Sequence, residues 1–167
     1  MIFDHYHPDI FGKGKSYPLS IGADSRVLVN SNLKAIIAYN SKGQFSRAER
    51  LPNLTSRLES QFHCLSSDSL NQHIATEEDL VMQALHRKLC PQTYRITPAG
   101  KRIELPSTNF KVSDKTKSNI RTAMDNFYKK LRCFEESKDY PQWANKFWEE
   151  NAEKYGMKYS TNMDFSI

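Results

Sequence analysis

Two histidines near the start of the chain are the residues best suited to metal chemistry. His5 and His7 are separated by Tyr6 alone, and Asp4 and Asp9 flank them. In an extended segment alternate side chains point to the same side, so both imidazoles can reach one divalent ion. The same residues also fit an aromatic-rich N-terminal arm that packs against the rest of the chain. We expect this arm, with neither a metal site nor a cofactor.

The segment His5-Tyr6-His7 resembles the metal-binding signature of single-strand nucleases and relaxases that use a tyrosine nucleophile. The resemblance covers three residues, and in that family the signature lies on a central strand of a larger sheet. It implies metal-dependent cleavage of a single strand, with Tyr128, on a predicted helix, in the place of the nucleophile. A metal-dependent single-strand nuclease that uses His5 and His7 is therefore one of three functional hypotheses.

Positive charge is concentrated in one stretch of the chain. The net charge is +5, and residues 111–132 contain seven basic and two acidic side chains, which equals the whole excess. Clustered cations favour polyanions, because neutralising phosphates releases condensed counterions. Our leading hypothesis is a non-enzymatic protein that binds nucleic acid or a nucleoprotein through this stretch and the hairpin before it. The predicted contact residues are Arg95, Lys101, Arg102, Lys111, Lys115, Lys117, Arg121, Lys129, Lys130 and Arg132.

An ordinary solvated helix would also account for this charge. Asp125 is one turn from both Arg121 and Lys129, so it can form two surface ion pairs, each worth a few tenths of a kcal/mol. A winged helix-turn-helix is a further interpretation, with the helix over residues 76–89 in a major groove and the hairpin on the backbone. The sequence leaves these alternatives open.

Aromatic side chains dominate the last predicted helix. Trp143, Phe147 and Trp148 cover about half of its circumference, and packing against the preceding helix explains most of this arc. If part of the arc stays exposed, it would serve as a protein-binding surface, because tryptophan and tyrosine dominate binding hot spots. A protein–protein adaptor or inhibitor that uses these three residues and the basic stripe is the second hypothesis.

Several classes of protein are not indicated. The sequence shows no apolar run of the 20 or so residues that a membrane span needs, and no secretory signal, so we expect no membrane association. Its 3 cysteines are far apart and odd in number, which predicts free, mostly buried thiols in the cytoplasm. Common catalytic motifs are missing, and we expect no enzyme.

The hydrophobic pattern predicts an α+β fold with a small N-terminal antiparallel sheet, a helical middle with a β-hairpin, and two long C-terminal helices. We expect one domain over residues 1–167, with a strand-rich part (1–50), a helix-rich part (51–167) and a frayed tail (157–167). The expected strands are Arg26–Asn30, Leu33–Tyr39, Gln44–Arg47, and a hairpin of Thr93–Ile96 with Lys101–Leu105. The expected helices are one from Asn53, a second after Asp68, Thr76–Leu89, one from Ser113 or Asp114, and one opened by Pro141.

Overall fold

The computed structural model describes residues 1–7, 17–30, 33–90, 94–96, 102–106 and 110–166. The chain divides into two units. Residues 1–68 and 135–167 form the first, which we call the sheet unit, and residues 69–134 form the second, the helical unit. The α+β class predicted from the sequence is confirmed.

The sheet unit is built on four strands in the order β1-β2-β3-β6. Strand β1 (Ile2–Tyr6) pairs in parallel with β2 (Ala35–Tyr39), which pairs antiparallel with β3 (Phe45–Arg50). A turn at Asn40–Gly43 joins β2 to β3, and Gly43 adopts a φ of 73° there. The sheet is thus mixed, with both parallel and antiparallel pairs. Parallel strands need a crossover connection, and a helix lies between β1 and β2 in the chain.

That helix is α1 (Ala23–Asn30), where the sequence predicted a strand over Arg26–Asn30. The prediction was wrong because it rested on the strand preference of Val27 and Val29, a preference that depends on tertiary context and is overridden here. The Ser25 hydroxyl donates to the carbonyl of Ile21 at 2.7 Å, within the first turn.

The C-terminal tail, predicted to be frayed, instead forms β6 (Met157–Thr161) and pairs antiparallel with β3. Gly156 precedes this strand with a φ of 81°, and a Cβ there would lie 2.7 Å from the Cα of Leu54. Met157 is fully buried, so the tail contributes to the core. The error came from the polar side chains of this segment, which alternate with the buried ones.

The core of the sheet unit surrounds Trp148 on α5 (Tyr140–Asn151). Its ring centroid lies 4.9 Å from that of Phe62 and 5.4 Å from that of Tyr159. The indole N–H donates to the buried carbonyl of Leu19 at 2.8 Å. Phe62 belongs to α2 (Ser56–Ile74), a single helix where the sequence predicted two.

The helical unit contains α3 (Glu77–Leu89), a hairpin of β4 (Tyr94–Ile96) with β5 (Arg102–Glu104), and most of α4 (Asp114–Glu135). A capping box opens α3, because Thr76 and Asp79 exchange both hydrogen bonds. The predicted hairpin and the start of α4 are confirmed. In the described part of the chain no helix combines the length and apolarity needed to cross a bilayer.

Candidate metal centre and basic helix

Three side chains that can coordinate a metal converge in the sheet unit. His5 lies in β1, His7 follows that strand directly, and Asp24 lies in the first turn of α1. The Nε2 atoms of the two histidines are 2.8 Å apart, and His5 Nε2 lies 3.3 Å from Asp24 Oδ1. Each side chain offers one ligand atom, and these atoms all lie within 4.8 Å of one another.

These separations match the ligand shell of a small divalent ion. Zinc lies about 2.0–2.2 Å from histidine nitrogen and carboxylate oxygen. Two ligands on one such ion are therefore about 2.9 Å apart in octahedral geometry and about 3.4 Å apart in tetrahedral geometry. The distances of 2.8 and 3.3 Å lie close to these two values, each slightly below one of them. The cluster can thus close around an ion with small side-chain adjustments.

Hydrogen bonds orient the carboxylate of Asp24. The backbone N–H and the hydroxyl of Ser20 donate to Oδ2 at 2.6 and 2.9 Å, and Asp24 N–H donates back to the Ser20 hydroxyl at 3.2 Å. Asp24 is 6% exposed. Oδ2 accepts both of these hydrogen bonds and lies 3.8 Å from His7 Nε2, whereas Oδ1 lies 3.3 Å from His5 Nε2 and is the carboxylate oxygen better placed to coordinate an ion.

The ring of His7 has its own partner on the side away from the cluster. Its Nδ1 lies 3.4 Å from the carbonyl of Tyr17, which places the ring proton on Nδ1 and leaves Nε2 with a lone pair. Burial lowers the pKa of His7; the Asp24 carboxylate opposes this shift, and the His5 imidazole adds to it. A neutral imidazole is the form that coordinates metals.

Two tyrosines lie next to this cluster. The Tyr17 hydroxyl donates to the backbone carbonyl of Glu135, and the Tyr17 ring centroid lies 6.0 Å from that of Tyr140. Burial raises the pKa of Tyr17 to about 12, with Glu136 and Glu135 contributing, and burial also raises the pKa of Tyr140. Both phenols are therefore protonated at neutral pH and are poor nucleophiles in this environment.

The sequence pattern placed His5 and His7 together but did not point to Asp24. Strand alternation brought the two imidazoles to one side, as expected. Asp24 is 17 residues from His7 in the chain, too far for strand alternation to relate the two. The useful signal is Ser20 four residues before Asp24, a pair that marks the start of α1. Tyr128 belongs to the helical unit, and its predicted role as nucleophile stays a prediction.

Most of the predicted nucleic-acid contacts lie on α4 or just before it. Three of the cations already have acidic partners: Lys117 lies 3.7 Å from Asp114, Lys130 lies 2.5 Å from Asp79, and Arg102 lies 2.6 Å from Glu104. Lys101 and the side chain of Arg95 lie outside the described residues. Among the predicted contacts, the exposed cations that form no ion pair with a described residue are Lys111, Lys115, Arg121, Lys129 and Arg132.

Asp125 is the one acidic side chain in the middle of α4, and it is exposed. The sequence allowed it to pair with Arg121 and Lys129, but among the described residues neither ion pair forms. The two cations therefore keep their charge available on the helix surface.

The aromatic residues proposed for protein binding are divided by the structure. Phe147 and Trp148 are buried in the sheet unit, at 6% and 0% exposure, whereas Trp143 is half-buried. The aromatic face of α5 packs on α2 and β6 through Phe62 and Tyr159. Of the three residues, Trp143 alone retains appreciable exposed surface, and its ring stacks on Phe147.

The three cysteines differ from expectation in their burial. Cys64, Cys90 and Cys133 are free, as predicted, but all three are exposed. The prediction of buried thiols followed the average behaviour of cysteine, whereas these lie on the outer faces or ends of helices.

Comparisons with protein-family models, with curated proteins and with solved structures find no match to this chain.

Proposed function

We propose that this protein binds a divalent transition-metal ion through His5, His7 and Asp24. The observation that carries the proposal is the convergence of two imidazole nitrogens and one carboxylate oxygen from β1 and α1. The proposal is supported by the hydrogen bonds that Ser20 and Tyr17 make to the outer side of this cluster. Such outer hydrogen bonds fix the tautomer and orientation of metal ligands.

The ligand types favour a particular class of ion. Imidazole nitrogen suits zinc, iron, nickel and copper, whereas magnesium and calcium prefer oxygen ligands. Two of the three ligands here are imidazoles, so we expect Zn²⁺ to bind more tightly than Mg²⁺. Three protein ligands also leave a coordination position for water or substrate, as in catalytic rather than structural zinc sites. An ion with such an open position can activate a bound water molecule for hydrolysis.

Calorimetric titration of the chelator-treated protein with ZnCl₂ tests the proposal. We expect one ion per chain and at least tenfold weaker binding by Asp24→Asn and His7→Ala. Asp4→Asn is the matched control, because Asp4 alternates with His5 along β1 and so points to the other side of the strand. Absence of zinc binding, or equal binding by the Asp24→Asn and Asp4→Asn variants, would rule the site out.

Metal-dependent cleavage is a separate question that the same variants answer. Supercoiled and single-stranded DNA are incubated with the protein and Zn²⁺ or Mn²⁺. Cleavage that disappears in His7→Ala supports a nuclease, and cleavage that persists in that variant contradicts one. A protein that binds zinc without cleaving DNA leaves the metal proposal intact and removes the nuclease.

A second candidate function is nucleic-acid binding through the cations of α4. It is favoured by several exposed cations of this helix that form no ion pair with a described residue. We expect Arg121→Glu and Lys129→Glu to weaken binding, and each lost phosphate contact to reduce the slope of log affinity against log salt by about 0.7–0.9. Lys154→Glu is the control, because it makes the same charge change on an exposed residue of the sheet unit. Asp125→Asn should tighten binding, since it removes the acidic group from the middle of the helix.

Fluorescence anisotropy with labelled single and double strands at about 50 mM salt measures this binding. Failure of both strands to bind, or equal losses in the Lys154→Glu and Arg121→Glu variants, would exclude α4 as the contact surface.

The free cysteines are compatible with the reducing cytoplasm that we propose as the location of the protein.

A further inference from the structure

One aromatic side chain lies among the available cations of α4. Tyr128 is 52% exposed, although its neighbour Phe127 is buried. Arg121 and Arg132 lie seven residues before and four residues after it, spacings that return to the same face of an α-helix. Along the helix axis these two guanidinium-bearing residues are about 10 and about 6 Å from Tyr128. The outer face of α4 thus presents a ring with a cation on either side.

A second exposed tyrosine in the helical unit provides a contrast. The ring of Tyr94 is covered by the guanidinium of Arg102, which lies 4.1 Å from the ring centroid, and Arg102 is also paired with Glu104. The Tyr94 ring and the Arg102 charge are therefore occupied within the hairpin. Phe127 is the neighbour whose ring lies near that of Tyr128, with 6.4 Å between centroids.

We propose that the outer face of α4 binds single-stranded nucleic acid, with Tyr128 stacked on an unpaired base and Arg121 and Arg132 on the flanking phosphates. In a duplex each base is already stacked on both faces, whereas an unpaired base offers a free face to an aromatic ring. Cations supply the electrostatic attraction to the backbone, and the ring supplies the preference for one strand over two. Lys129 and Asp125 lie on one flank of this row.

This inference rests on nucleic-acid binding by α4, and the experiment separates the two. Anisotropy is measured with a labelled deoxythymidine oligonucleotide and with a hairpin duplex of equal charge, at matched salt. We expect Tyr128→Leu to weaken single-strand binding about 5- to 150-fold, the range expected for loss of one stacked base, and to leave duplex binding unchanged. Tyr128→Phe should retain single-strand affinity, because it keeps the ring. Tyr94→Leu is the matched control and should bind like the unaltered protein.

The outcomes are distinguishable. If neither strand binds, both the second candidate function and this inference fail. If both strands bind equally and Tyr128→Leu changes neither, α4 remains a polyanion surface and the stacking role is refuted. Equal losses in the Tyr128→Leu and Tyr94→Leu variants also refute it. Since Tyr128 is more than half exposed, we expect these variants to have equal melting temperatures. Equal melting temperatures would show that a loss of binding is not caused by unfolding.

Discussion

Ser20→Ala should weaken zinc binding more than it weakens the fold. The substitution removes the hydroxyl that donates to Asp24 Oδ2 at 2.9 Å and accepts from Asp24 N–H at 3.2 Å, but it keeps the backbone donor to Oδ2. Loss of such a capping hydroxyl costs about 1 kcal/mol of stability. Loss of a group that orients a metal ligand typically costs 10- to 100-fold in metal affinity, or about 1.4–2.7 kcal/mol.

The magnitude can be followed through thermal unfolding. At a free zinc concentration 100 times the dissociation constant of the unaltered protein, binding adds about 2.7 kcal/mol to its stability. At that concentration the Ser20→Ala variant should gain about 1.4 kcal/mol if its affinity falls tenfold and about 0.4 kcal/mol if it falls 100-fold. Calorimetric titration then gives the affinities directly.

Ser25→Ala is the control for this experiment. The Ser25 hydroxyl is buried in the same turn and donates to the carbonyl of Ile21, away from the carboxylate of Asp24. This variant should lose about 1 kcal/mol of stability in the absence of metal and keep the full stabilisation by zinc. Unaltered zinc affinity of Ser20→Ala, or an equal loss of affinity in both serine variants, would refute a role of the Ser20 hydroxyl in orienting Asp24.

Two further predictions concern the sheet unit. Burial and the Arg26 guanidinium lower the pKa of His63 from its ordinary 6.5, so the unfolded state binds a proton first as the pH falls, and stability should decrease below about pH 6.5. Urea unfolding between pH 5 and 8 should therefore show a shallower dependence of stability on pH for His63→Gln than for the unaltered protein. Parallel curves for the two proteins would contradict this. Gly156→Ala should destabilise the protein more than Gly43→Ala. Both glycines have positive φ, but a Cβ at residue 156 meets the backbone of Leu54, whereas one at residue 43 meets nothing within 4 Å. Equal decreases in the denaturant midpoint of the two variants would show that the contact with Leu54 adds no cost in stability.

Local signals in the sequence were sufficient for much of the secondary structure. The capping box of Thr76 and Asp79 and the turn at Asn40–Gly43 are each formed by a few neighbouring residues. Such features form from neighbouring residues, so they can be identified without knowing the fold. The proximity of the His5 and His7 imidazoles is also a local feature, because strand alternation alone brings them to the same side.

Tertiary structure decided the rest, because those features depend on residues that are distant in the chain. Residues 26–30 have β-branched side chains that favour a strand, but the parallel pairing of β1 with β2 is accompanied by a crossover that contains α1. The polar tail becomes β6 because β3 presents an edge to it, and pairing along that edge satisfies its backbone hydrogen bonds. Asp24, the third residue of the proposed metal site, is held beside His5 and His7 by the position of α1. Composition and spacing do not specify these long-range contacts, since each requires the whole sheet unit to be in place.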